Sequence, residues 1–545
     1  VRRALFWTLL IVLAVHARSL GGAALVYDDG AHVFNNPLFL PPGWHALERV
    51  WSAPFEGLFA PVAYTLWWLL AKLSYLLFGE LRPVLFHGAN WLLHAGVSAC
   101  VFQLCARRGA GPLGAALGAL CFGLHPLCVE SVAWISELRG LLAALLGLLA
   151  ILSLPRAWLA TLLFALALLS KPAAVAVLPM AWLLDPRPWR EKWRLHAGWS
   201  VMALALVWIS TQAQSGEALR VATTPAERVW IAIDALASYT RAWLMPVDLC
   251  VDAGRSPQLV LAERSWLFRG AMPGLFLGLF LGLLLVVWGL WWRRCGARDP
   301  LLSLCALAPV LGLIPFAFQN TSTVADRYAY LALLGPALSV ARWQGTLRRA
   351  AWHVPAGVFA LCALLWVPLS VRQQGFWASD TALFERALSV NPRSAVAHSN
   401  LGLVALREGR LADARAEYEQ ALVLRPEDAR ARANLGLCLF QSGQVQAGLS
   451  ELRAALALAP NYLRARANLV RGLIQTGEAA GAREQAEELV RRHPDSAEAW
   501  TLHGQVAVAA GDRAQARASA LRALELLPGY APARALLGEG PGAGR

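Results

Sequence analysis

Up to about residue 370 the chain alternates long apolar runs with short polar loops, whereas beyond it apolar residues recur every three or four positions between Gly or Pro breaks. The first pattern predicts helices that cross a membrane, and the second predicts helical hairpins. Neither half shows the period-two alternation of a half-buried strand, so the expected fold is all-α. The apolar runs fall at 4–26, 84–106, 112–125, 140–154, 157–170, 173–184, 195–212, 271–292, 300–318, 328–341 and 353–371. They predict about 11 spans, several of them shorter than the roughly 20 residues a bilayer favours. Segments 61–78 and 229–247 are apolar too, but Lys72, Asp234, Arg241, Pro61 and Pro246 interrupt or flank them. Both are expected to lie along the outer membrane surface as amphipathic helices.

The hairpin half has a period of 34: Pro392, Pro426, Pro460, Pro494 and Pro528 keep that spacing, as do Gly409, Gly443, Gly477 and Gly511. Leu401, Gly402, Ala414, Tyr418, Ala421 and Pro426 stand at tetratricopeptide spacing, and Trp500 adds the aromatic of that pattern in the fourth unit. Four repeats are predicted at 393–528 after a half unit at 376–391, giving a membrane domain over 1–372 and a repeat solenoid over 373–545. Such an array offers a concave surface to a peptide or protein. Asn400, Asn434 and Asn468 recur at one repeat position. Each carboxamide has a donor and an acceptor, so the row is a candidate acceptor-binding ladder for an extended backbone.

Composition narrows the class. With 57% hydrophobic and 15% charged residues, a purely soluble enzyme is excluded. The net charge of +14 raises nucleic acid as a partner, yet no basic run is interleaved with aromatics, and membrane lipid accounts for the charge better. The nine cysteines lie mostly in apolar runs without a CxxC pair, which argues against a disulfide framework. Arginines then orient the spans. Starting inside with Arg2 and Arg3, every second loop carries them: Arg107 and Arg108, Arg156, Arg187 to Arg194, Arg293 to Arg298, and Arg342 to Arg349. A multi-pass protein with a cytoplasmic N-terminus is expected, its repeats outside, in the periplasm or, in a eukaryote, the ER lumen.

In that topology four polar clusters share the outer side: Tyr27-Asp28-Asp29, His125-Pro126 through Glu130 to Glu137 and Arg139, Ser170-Lys171-Pro172, and Ala325-Asp326-Arg327-Tyr328. Ionisable groups at membrane ends are costly, and their convergence marks a candidate site. These motifs, with the order of membrane part then repeats, resemble the transmembrane and tetratricopeptide-repeat O-mannosyltransferases and their bacterial relatives within the GT-C glycosyltransferases. The resemblance implies a polytopic GT-C membrane domain, a polyprenyl-phosphate sugar such as the mannose form as donor, and a protein hydroxyl as acceptor. It implies Asp28 as base, with Asp29 orienting it or replacing it, and Glu130 positioning the acceptor or a sugar hydroxyl. Arg327, Lys171 and Arg139 are the candidate donor-phosphate cations, while His125, Asp326 and Tyr328 support them. A carboxylate base and a cation at the leaving phosphate are what glycosyl transfer requires. No cofactor is called for. A divalent metal could bridge Asp28 or Asp29 to the phosphate, although no ligand set demands one. Leu138 and Gly140 stand where relatives carry Arg and Asp. Two other readings share these residues: transfer of another sugar to a glycan, lipid or pilin-like acceptor, and an inactive membrane-anchored scaffold.

Overall fold

The computed structural model describes residues 1–55, 57–213, 223–269, 298–314, 316–346 and 353–538. Its elements are helical, and among the described residues the only extended pairings are two isolated bridges, Phe39 with Pro42 and Phe55 with Leu58. The chain forms two compact units, Val1–Pro392 and Arg393–Arg545. The sequence puts the seam at 372/373, so the two boundaries differ by one helix. Asp380–Val390 sits with the first unit because Asp380 accepts the Val26 N–H at 2.8 Å and Arg386 donates to the carbonyls of Val247 and Leu249.

In the first unit, four helices are long and apolar enough to cross a membrane: the N-terminal Arg2–Gly21, Pro61–Phe78, Pro83–Arg107 and Ile135–Leu152. A fifth crossing is available if the bent pair Pro112–Gly123 and Pro126–Ala133 counts as one. The eleven-span count is therefore not reproduced among the described residues. The predicted span 271–292 lies outside them, and others, such as the runs at 157–170 and 173–184, appear as the helices Ala157–Ser170 and Pro172–Leu184, apolar but too short to qualify as crossings, with Pro172 closing off the ladder between them. Pro61–Phe78, read from sequence as a surface helix, has the length and apolarity of a span. It is also two-sided: Tyr64, Trp67, Trp68, Ala71 and Ser74 are buried, while Leu69, Leu73, Leu76 and Leu77 are exposed.

The main core packs Phe102, Phe122, Leu148, Phe164 and Trp199 from successive apolar helices. A smaller core joins Val33, Phe39, Tyr64, Trp67, Phe86, Ile135 and Leu138. That second core holds segments of the first two polar motifs, whereas Ala174 and Ala329, beside the third and fourth, pack in the main core. Between Pro112–Gly123 and Leu138–Leu152 the chain makes three short helical pieces, Pro126–Cys128, Val129–Ala133 and Ile135–Glu137. Irregular backbone of this kind survives at membrane depth only when buried in protein or lining a cavity.

The second unit repeats one hairpin: Ala395–Arg407 with Leu411–Leu424, Ala429–Gln441 with Val445–Leu458, Leu463–Gln475 with Ala479–Arg492, and Ala497–Ala509 with Arg513–Leu526. Ser394, Asp428 and Ser496 cap the first helices. Each turn passes through a left-handed glycine, Gly409, Gly443, Gly477 or Gly511, with φ of 75°, 82°, 74° and 79°. Only glycine enters that region without a Cβ penalty, which explains the period seen in the sequence.

Candidate functional site

The first outer motif turns sharply. Asp28 has φ 68°, the only non-glycine residue among those described with positive φ, a conformation Asp tolerates at some cost. Its carboxylate is half-buried and accepts no hydrogen bond among the described residues. Asp29, by contrast, is fully buried and saturated: Oδ1 accepts from the Ser136 amide at 2.9 Å and the Ser136 hydroxyl at 2.6 Å, and Oδ2 accepts from the Leu25 amide at 3.0 Å. Burial pushes the Asp29 carboxyl up to about 7, against the downward pull of those bonds. Asp29 thus ties the first motif to the second. A parallel tie is the Trp134 indole N–H donating to the Tyr27 carbonyl at 3.0 Å, with the two rings stacked 5.1 Å apart.

Arg327 lies at the centre of the second and fourth motifs. Its side chain is 7% exposed, and its guanidinium donates to Glu130 Oε1 at 2.5 Å while its own amide donates to Glu130 Oε2 at 3.3 Å. Phe318, Tyr328 and Trp134 present their ring faces to it at 4.3, 4.9 and 5.3 Å. Glu137 stands 3.9 Å from Arg327 Nε and accepts Lys171 Nζ on both oxygens at 2.8 Å. Two cations and two carboxylates therefore form one buried group. Gly140 makes room for it, since a Cβ there would meet Glu137 Oε2 at 2.3 Å and Lys171 Nζ at 3.2 Å. Glycine at this position therefore has a local steric reason.

Arg139 and His125 make their hydrogen bonds outside this group, whereas Asp326 lies beside Glu130. Arg139 donates Nε to the Ser136 carbonyl at 3.0 Å and lies over Trp67. His125 is buried, accepting the Leu127 amide on Nδ1 and contacting the Trp243 carbonyl through Nε2, so it caps the turn that starts the second motif. Burial and the neighbouring Glu130 raise the Asp326 carboxyl well above the carboxylate range. Among the described residues no group of three His, Cys, Asp or Glu is placed to hold a metal ion. In the repeat unit Asn400, Asn434 and Asn468 are all half-buried. Asn400 spends its Nδ2 on the Val396 carbonyl of its own helix, Asn468 accepts from Arg471, and Asn434 lies by the Tyr418 hydroxyl.

Sequence reasoning missed Ser136, Trp134 and Phe318 as parts of the site, and marked Gly140 as a departure from the family's motif without its packing role. Ser136 and Trp134 stood inside a quoted motif without a role, while nothing local marks Phe318. It also missed a second repeat signature: Arg432, Arg466, Trp500 and Arg534, each 34 residues apart, donate to the carbonyls of Pro426, Pro460, Pro494 and Pro528.

Tetratricopeptide-repeat family models match residues 371–426, 400–462 and 439–506, so the second unit is a tetratricopeptide array by sequence as well as by shape. The chain is further similar to the human protein O-mannosyl-transferase TMTC4, 31% identical over 175 residues, and to mouse protein O-mannosyl-transferase TMTC1, 32% identical over 148 residues. These alignments cover 28% and 26% of this chain but only 23% and 16% of the relatives. They support the family resemblance that the motifs carry. Among solved structures, MamA is similar at 25% identity and a TM-score of 0.25, over 27% of this chain and 85% of that one.

Proposed function

We propose that this membrane protein is a glycosyltransferase that moves a sugar, with mannose the first candidate, from a polyprenyl phosphate to Ser or Thr hydroxyls of proteins on the outer side of the membrane. The observation that carries this reading is a half-buried carboxylate, Asp28, whose side-chain oxygens take no hydrogen bond among the described residues, next to a tyrosine, Tyr27, within reach of the charges of both Asp28 and Arg327. In the reaction the acceptor oxygen bonds to the anomeric carbon, the bond to the phosphate oxygen breaks, and the hydroxyl proton passes to Asp28. Polyprenyl phosphate leaves toward Arg327, with Lys171 as the second cation. Glu130, which now pairs with Arg327, is released to a sugar or acceptor hydroxyl when the phosphate takes the guanidinium. The repeats hold the acceptor, with the asparagine row as the contact surface.

The test incubates purified full-length protein with a panel of polyprenyl-phosphate sugars and a proteome extract, then maps new glycosylated Ser and Thr by mass spectrometry. Transfer is expected with one donor, and Asp28→Asn should lose it while still binding that donor. Transfer to a glycan or lipid alone would move the acceptor class. No transfer from any donor would leave the scaffold reading, which the already satisfied Arg327 favours.

A further inference from the structure

One face of the Pro83–Arg107 helix is polar although it is buried. His87, Asn90, His94 and Ser98 follow each other at intervals of three or four residues, on one side of the helix, and none is more than 1% exposed. They span about 16 Å of helix in an otherwise apolar bundle. Polar side chains in such a setting are expensive and need an occupation.

The bonding along this stripe is incomplete in a specific way. His16 and His94 both direct Nε2 to the Gly123 carbonyl, at 2.9 and 3.0 Å. A carbonyl only accepts, so both Nε2 atoms carry hydrogen, and His94 Nδ1 then accepts from the Tyr330 hydroxyl at 2.8 Å. Among the described residues His16 Nδ1 is left as a bare acceptor with no partner. Asn90 donates to the Trp134 carbonyl at 2.7 Å, and its Oδ1 has no partner among the same residues. Backbone groups of Gly22, Ala23 and Ala133 lie close to His87, yet none of the described residues makes a well-formed hydrogen bond to either of its nitrogens. Ser98 Oγ, facing Gly123, likewise has no partner among the described residues. The surplus consists mainly of acceptors, while the neighbours on offer are carbonyls and apolar groups such as Val12. A small molecule that both donates and accepts resolves every one of these positions.

We propose that this stripe is a water-binding seam: internal water molecules sit beside His87, Asn90, His94 with His16, and Ser98, bonding the unpartnered atoms to the surrounding carbonyls. Buried waters make two to four such bonds each, and the polar groups here occur in sets that supply them. The seam ends behind Trp134, whose ring forms one wall of the Arg327 site and whose carbonyl is held by Asn90. It therefore brings solvent to the inner side of that site independently of what the site transfers.

X-ray radiolytic labelling of the full-length protein in lipid nanodiscs tests this, because hydroxyl radicals form from trapped water and mark adjacent side chains. Phe102 and Phe164 are equally buried and serve as dry controls of comparable reactivity; Val423 of the repeat helix Leu411–Leu424, 74% exposed, reports bulk solvent. His87 and His94 should be modified at least about tenfold more than Phe102. The paired replacement His87→Leu with Asn90→Leu should lower labelling at His94 and leave Val423 unchanged. Modification of His87 and His94 at the level of Phe102 in the parent protein would overturn the proposal, and that result needs no variant to fold.

Discussion

The two units use the same pairs of charges in opposite surroundings. In the membrane unit Arg327 and Glu130 are 7% and 1% exposed, and Glu137 is 3% exposed beside Lys171. In the repeat unit Arg415 and Glu419 form an i,i+4 pair with 47% and 49% exposed, and Arg410 lies similarly open beside Glu408 and Asp413. Water screens the second set and leaves it little to contribute. The first set has surrendered hydration, so each member depends on its partner, and removal of one strands a charge. Ion pairs seen in coordinates are therefore no measure of importance until burial is known.

The sharpest way to break this contrast is Arg327→Ala. It should strand Glu130, cost about 3–5 kcal/mol of stability and abolish sugar transfer. Replacing both partners, as Arg327→Met with Glu130→Leu, should restore much of the melting temperature without restoring transfer, because a matched apolar pair carries no desolvation debt. Equal melting of the single and paired variants would show that the network is not mutually dependent.

A smaller effect is expected at Gly140, where the group has no spare room. Gly140→Ala places a methyl 2.3 Å from Glu137 Oε2, and displacing that carboxylate from Lys171 should cost about 1–3 kcal/mol in a thermal melt. Gly140→Asp should be worse because it adds a like charge beside Glu137. A melt unchanged in Gly140→Ala would mean that the pair can shift freely.

Much of this arrangement was legible in the sequence, and unevenly. The repeats were legible because Pro and left-handed Gly recur every 34 residues for local backbone reasons, and local causes leave local marks. The motifs of the site were legible as polar interruptions of apolar runs. What joined them was not: Asp29 meets Ser136 across 107 residues and Arg327 meets Glu130 across 197, and no spacing encodes such pairings. The span count suffered for a related reason, since proline-broken pieces such as Pro172–Leu184 look apolar in sequence whether or not they make a full crossing.

Asp29 sharpens the comparison through pH. Its folded-state value of about 7 exceeds the ordinary 3.8, so the folded protein holds this proton more tightly than the unfolded chain. Below about pH 4 both states are protonated and the group contributes no slope; between there and pH 7 the unfolded chain ionises first, and stability falls as pH rises. The melting temperature should decline from pH 5 to 7 and then level. Asp29→Asn, which keeps an acceptor for Ser136 but turns an amide toward the Leu25 N–H, should flatten that decline. An equally steep decline in the variant would assign it to another group.

The smallest effects belong to the repeats, and there backbone conformation should outweigh charge. Gly443→Ala meets nothing within 4 Å, so its whole cost is the left-handed φ of 82°, about 1 kcal/mol. Arg415→Ala removes a half-exposed side chain from Glu419, a loss that solvent makes good and that should not be resolved in the same experiment. Hydrogen exchange of the full-length protein, read on peptides from Val445–Leu458 and Leu411–Leu424, separates the two because each change opens its own hairpin. Faster exchange in Gly443→Ala with none in Arg415→Ala is expected. The reverse order would mean that the surface ion pairs of the array carry stability after all, and that burial alone does not divide the two units.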